Sequence, residues 1–174
     1  PRVPGTTAHA NCAAFIEKTL KDFGLSVVVQ SAPVSTYDGK IFTLKNIIAS
    51  YKPDFQKRVL LLAHWDSRPI ADNDIKDENK PIDGADDGAS GVAVLLEIAR
   101  QLSKADLKIG VDLFFSDLED YGQPEDSDKP KMQDSWCLGT QYWAKNPHVP
   151  GYTANYGILL DMVGAKGAVF PREG

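Results

Sequence analysis

Apolar residues recur along this chain with two different periods, and the alternation between those periods predicts its elements. Over residues 8–23, Cys12, Ile16, Leu20 and Phe23 return at helical spacing, and Gly24 follows as a stop, which predicts a first helix. Residues 25–30 (L-S-V-V-V-Q) and 41–51 (I-F-T-L-K-N-I-I-A-S-Y) are rich in β-branched and aromatic side chains. The turn dipeptide Asp38-Gly39 between them predicts an antiparallel pair. Residues 58–63 (R-V-L-L-L-A) form a nearly unbroken apolar run, the pattern of a strand covered on both faces. In residues 90–103, Val92, Leu95, Leu96, Ala99 and Leu102 make one apolar stripe behind a candidate N-cap, Ser90, which predicts a second helix. A strand over 110–116, a short helix over 138–145 and another buried strand over 157–163 complete the pattern. Helices between apolar strands predict an α/β sandwich: a mixed sheet, antiparallel in its first pair and largely parallel afterwards, with helices on both faces. The polar stretches 71–83 and 122–135 read as loops long enough to suggest a functional role or disorder.

Length and charge then narrow the picture. The 174 residues fit a single domain spanning 1–174. The opening P-R-V-P-G reads as an interior loop, so the domain is expected to be truncated at its ends. A net charge of -5 argues against a general nucleic-acid binder, whose footprint would be basic. No apolar run is long enough to predict a membrane span. The two cysteines, Cys12 and Cys137, are too few for a disulfide scaffold and read as isolated buried thiols.

Functional residues of open α/β sheets gather outside the carboxyl ends of the strands. Here three apolar strands run into polar groups: Ala63-His64-Trp65-Asp66-Ser67, Asp117-Leu118-Glu119-Asp120, and Asp161 within L-L-D-M-V-G. A fourth acidic cluster, Asp86-Asp87, opens the second helix. One histidine among several carboxylates suits Zn²⁺, which takes nitrogen and oxygen ligands. Each piece has an ordinary explanation as well. A lone histidine is more often exposed or satisfied than a ligand, Asp86 and Asp87 could simply cap the helix, and Glu119-Asp120 could be solvated loop charge. Asp161 resists such a reading, because a carboxylate within an apolar strand is costly to bury without a partner.

Taken in order, A-H-W-D-S, G-A-D-D-G-A-S-G-V-A-V-L-L-E-I-A-R, F-F-S-D-L-E-D-Y-G, L-G-T-Q-Y-W-A and L-L-D-M-V-G resemble the co-catalytic zinc aminopeptidase family. The match runs from about Arg2 to Phe170. Within that family the Glu-Asp pair and the tail D-M-V-G-A-K-G-A are most similar to the bacterial branch of the glutaminyl cyclases. The resemblance implies a zinc-exopeptidase-like fold, of the phosphorylase/hydrolase-like kind. It also implies that Asp87 and Asp120 ligate zinc, that Glu119 is the general acid/base, and that Asp66 orients His64. Asp86 falls at a variable position. Asp161 would act as a proton-relay carboxylate in a cyclase, or join His64 on a second zinc in an aminopeptidase. Trp65 and Trp136 are candidates for the substrate pocket. His9 and His148 match no ligand motif, and the third ligand of the main zinc site is expected beyond this chain.

The implied reaction is cyclisation of an N-terminal glutamine, on a peptide or protein, to pyroglutamate with loss of ammonia, an acyl transfer. Glu119 would take a proton from the α-amine and pass it to the departing nitrogen, using one zinc. The alternative is an aminopeptidase with two zincs, in which Glu119 activates water against the first peptide bond. A third reading, from a different class, is a metal-free structural or binding domain. The resemblance also implies a periplasmic or secreted protein.

Overall fold

The structure, a computed structural model, describes residues 1–170; the last four residues of the expected 1–174 domain lie outside the described residues. Helix α1 (Thr7–Asp22) is capped by Thr6, whose side chain accepts from the His9 amide, and the chain turns out of it at Gly24 with φ +78°. Strands β1 (Ser26–Ser35) and β2 (Ile41–Tyr51) pair antiparallel around the Asp38-Gly39 turn, with Ser35 opposite Ile41 and Ser26 opposite Ser50. Strand β1 runs further than its apolar pattern predicts, through Pro33. It lies at the sheet edge, where a missing amide hydrogen costs no ladder bond.

Strands β3 (Arg58–His64), β4 (Gly110–Ser116) and β5 (Tyr156–Leu159) follow, with helices α2 (Ala89–Leu102) and α3 (Leu138–Lys145), and the stretch 122–135, expected to be loop, contains one short 3-10 turn at Gln133–Ser135. The sheet order is β1-β2-β4-β3-β5: β4 is inserted between β2 and β3, antiparallel to the first and parallel to the second. Strand β5 adds parallel to β3. The mixed, later-parallel sheet expected from the pattern is therefore present.

Helices α1 and α2 cover one face. Ile16, Leu20, Leu95 and Ala99 are buried there against Ile47, Ala63, Leu113 and Phe115. Each of the leucine, isoleucine and phenylalanine side chains contributes roughly 1.5–3 kcal/mol when fully buried. Phe114 points to the opposite face and packs on Trp143 of α3, with ring centroids 5.0 Å apart. Alternate residues of β4 are thus buried on both sides, which is why its run is continuously apolar.

Three expectations need correction. The strand predicted over 157–163 is shorter, ends at Leu159 and is exposed along its length, because it forms the outer edge of the sheet beyond β3. Ser90 does not cap α2: the helix begins after Gly88, which has φ +60° and no capping side chain, and Ser90 lies within the first turn. Its hydroxyl instead accepts from the Val163 amide at 3.0 Å. Cys12 and Cys137 are free thiols, as expected, but only partly buried. Among the described residues no helix is long and apolar enough to cross a membrane.

Candidate active site and metal centre

The parallel register aligns His64 with Ser116, so β3 and β4 end level with each other and release both acidic segments at the same sheet edge. His64 is 1% exposed. Its Nε2 lies 2.8 Å from Asp87 Oδ1 and 3.6 Å from Asp161 Oδ1. Asp87 approaches from the turn before α2, and that approach depends on Gly88: a Cβ there would lie 2.7 Å from His64 Cε1. Helix α2 comes closer still to the segment after β5, since a Cβ on Gly91 would lie 2.2 Å from the Leu160 carbonyl oxygen. Asp86 holds the same segment by accepting from the Gly164 amide at 2.7 Å.

Beyond β4 the chain turns through Leu118, which has φ +54° and is wholly buried. That turn aims two consecutive amides at one carboxylate: Glu119 N and Asp120 N each donate to Asp66 at 3.1 Å. Asp66 is itself fully buried. Its Oδ1 is 3.4 Å from His64 Nδ1, which is buried without a hydrogen-bond partner. Asp66 therefore organises the acidic turn, a role the resemblance did not imply, while also facing His64.

Two donor sets result, each with its ligand atoms within 4.8 Å of one another: His64, Asp87 and Asp120, and His64, Glu119 and Asp161. The four carboxylates expected to form the site are thus brought together around one imidazole. The grouping differs from the implied one, because His64 Nε2 sits nearer Asp87 than Asp161. Asp161 is also not the buried carboxylate that its apolar surroundings suggested; its side chain is 41% exposed, since it lies past the end of an exposed edge strand.

Charge in this cluster is strongly coupled. Burial disfavours the ionised form of Asp120, and the neighbouring Asp66, Asp87 and Glu119 add to that effect against His64, raising its pKa to about 7. Glu119 is raised for the same reason, burial first, with Asp66, Asp161 and Asp87 outweighing His64. For His64, burial opposes the charge, but Asp66 and Asp87 prevail and push it up to about 11. Asp87 is lowered, chiefly by its contact with His64. Four acids crowded about one cation favour a divalent ion, and the mixed nitrogen and oxygen donors fit zinc.

The two tryptophans part company. Trp65 is 0% exposed, stacks on His9 at 4.2 Å and donates from Nε1 to the Lys45 carbonyl at 3.1 Å. It is a core residue beneath the site and cannot wall a substrate pocket, because its neighbours seal it from solvent. Trp136 is partly exposed and lines a cavity of about 250 Å³ with Gln123, Pro124 and Met132.

Sequence reasoning missed the supports below. His9 Nε2 is 2.7 Å from Asp117 Oδ1, and both side chains are buried. Asp117 also accepts from Lys45 N and Leu118 N, which ties the acidic turn to α1 and β2. Arg2 donates to the carbonyls of Trp65 and Gly84, joining the His64 and Asp87 segments. The signal available in sequence was an aspartate closing an otherwise apolar strand, in F-F-S-D.

Comparison with known proteins agrees with this geometry. The sequence pattern of peptidase family M28 matches residues 46–171. A glutaminyl-peptide cyclotransferase of Drosophila melanogaster is 30% identical over 185 residues, covering 98% of this chain and 46% of that protein. Among solved structures, a Zn-dependent exopeptidase from Parabacteroides distasonis is 56% identical with a TM-score of 0.94, covering 98% of this chain and 59% of its own. Bacteroides thetaiotaomicron glutaminyl cyclase, bound to N-acetylhistamine, is 50% identical with a TM-score of 0.97, covering 100% of this chain and 60% of its own. The chain thus spans about half the length of the curated relative and somewhat more of the solved chains. Its fold, its ordered motifs and these likenesses agree: the chain belongs to peptidase family M28.

Proposed function

We propose that this chain carries most of the active site of a zinc-dependent glutaminyl cyclase, which converts an N-terminal glutamine of a peptide to pyroglutamate and releases ammonia. The observation that carries the reading is Glu119. It is a half-buried carboxyl with a raised pKa, within 4.8 Å of both His64 and Asp161 and pinned through its amide by Asp66. Likeness to solved bacterial glutaminyl cyclases over nearly the whole chain supports the same reaction.

Asp87 and Asp120 would hold the zinc, with His64 within reach of both. The zinc, when bound, supplies Lewis-acid polarisation of the side-chain amide carbonyl. Glu119 accepts a proton from the substrate α-amine as that nitrogen bonds to the amide carbon and closes the five-membered ring. The same carboxyl then returns the proton to the departing nitrogen, which leaves as ammonia. A carboxyl that both takes and gives a proton works best when its pKa is drawn toward neutrality. Asp161 steadies that exchange by sharing the hydrogen-bonding space beside Glu119. We place the whole protein in the periplasm or outside the cell, a reading that rests on the family resemblance.

The second reading is a two-zinc peptidase using the same residues, favoured by the likeness to a Zn-dependent exopeptidase. The test offers the whole protein two fluorogenic peptides, one beginning with glutamine and one with leucine. Ammonia release from the first without cleavage of the second is the expected result. Cleavage of the leucine peptide alone would replace the cyclase by the peptidase.

A further inference from the structure

We infer that Arg68 is the positioning residue of this site, a clamp that fixes the metal-binding carboxylate of Asp120 and the ring of Trp136 together. Its side chain is 9% exposed, so every donor it carries needs a partner. Nε donates to Asp72 Oδ1 at 2.6 Å, and one terminal nitrogen donates to the other oxygen of the same carboxylate. The other terminal nitrogen donates to the backbone carbonyl of Asp120 at 3.0 Å.

That last bond matters because of what holds the other side of the same residue. The Asp120 amide donates to Asp66 at 3.1 Å. Asp120 is thus gripped at its N–H by a buried carboxylate and at its C=O by a buried guanidinium. Its own carboxylate is left to face His64 and Asp87. Partners that hold a ligand's frame in this way set where the ligand points, and losing one typically costs 10–100-fold in metal affinity or activity.

The plane of the guanidinium does a second job. Its central carbon lies 4.6 Å from the centroid of the Trp136 ring. Trp136 is also pressed against Gly122, where a Cβ would fall 1.9 Å from the indole. With Asp72 and Asp87, Arg68 lines a cavity of about 600 Å³ that opens beside the metal ligands. One side chain therefore joins three separate segments: the loop after β3, the acidic turn after β4, and the turn before α3. A buried ion pair is weak support for stability alone, which turns attention to what the geometry specifies. Lysine could keep the charge but not the planar fork that makes these contacts together.

The experiment compares Arg68→Lys and Arg68→Met with wild type in the whole protein. It reads zinc affinity by competition with a chelator and tryptophan emission without substrate, with Trp136→Phe to identify that residue's share. We expect both variants to fold, to bind zinc 10–100-fold more weakly, and to lose the Trp136 component of the wild-type spectrum. Should Arg68→Met fail to fold, Asp72→Asn loosens the guanidinium from its far side and should move both readouts in the same direction. Zinc affinity within threefold of wild type and an unchanged spectrum in Arg68→Lys and Asp72→Asn would overturn the assignment. Neither affinity nor emission depends on the cyclase reading, which is tested separately by ammonia release from the wild-type protein. A wild-type protein that binds zinc but releases no ammonia would sink that reading while leaving the clamp tested.

Discussion

Removing the carboxylate of Asp66 separates two roles that the sequence alone could not rank. This side chain is fully buried and accepts from Glu119 N and Asp120 N, both at 3.1 Å, while facing His64 Nδ1 at 3.4 Å. In Asp66→Ala the two amides lose their acceptor. A buried donor left unsatisfied costs about 1–3 kcal/mol, so two give about 2–6 kcal/mol of lost stability, more than a typical point mutation. Asp66→Asn keeps one acceptor oxygen and turns an NH₂ group toward the second amide, so its loss should fall near half of that range. Because Asp66 heads the groups that raise His64, the imidazole pKa should fall in both variants. Urea unfolding of the wild-type and variant proteins measures the first effect, and histidine NMR titration the second. If Asp66→Ala lost less than about 1 kcal/mol while the His64 titration moved, Asp66 would be only an orienter of the imidazole. The account of the acidic turn would then be wrong.

Further outcomes follow from the same geometry. Glu119→Gln should retain zinc and fold but lower kcat by about 10²–10⁴-fold, the usual worth of acid/base catalysis; an ammonia-release assay that finds near-normal turnover with full zinc content would route the proton elsewhere. Asp120 has a folded pKa raised from 3.8 to about 7, so its contribution to metal-free stability is present below 3.8 and lost as pH rises through about 7. Unfolding midpoints across that window should decline, and Asp120→Asn should flatten the decline; an equally steep slope in the variant counts against this assignment. Gly88→Ala must place a methyl group 2.7 Å from His64 Cε1 on a backbone with φ +60°. It should cost about 1–3 kcal/mol and weaken zinc binding, and a fully stable variant with normal affinity would show that the turn can shift. An anomalous-scattering map of the zinc-loaded whole protein should hold one strong peak per chain; two full peaks about 3.5–4 Å apart would favour the peptidase.

Much of the fold was legible because local pattern and tertiary environment agree. The unbroken apolar runs of β3 and β4 belong to strands covered on both faces, and the stripe Leu95, Ala99, Leu102 is the buried face of α2. Where the pattern misled, a neighbour or its absence decided. Residues 157–163 are as apolar as a central strand, yet β5 is exposed and stops at Leu159, because what covers a strand is set by the rest of the sheet.

By itself the sequence determined which main helices and strands form, and it placed His64, Asp87, Glu119, Asp120 and Asp161 at or near element ends in four of five ordered motifs. Periodicity suffices for that, since helices and strands are local and each reports burial through its own spacing. Only the tertiary structure decided that β4 lies between β2 and β3, which brings the His64 and Glu119 segments side by side. It alone revealed Asp66 beneath the acidic turn across 53 residues, and His9 against Asp117 across 108. It alone made Trp65 a core residue and left Trp136 beside Arg68 at the site. These are contacts between segments far apart in the chain. No local spacing encodes them, because they exist only once the strands have paired and the loops have closed over their ends.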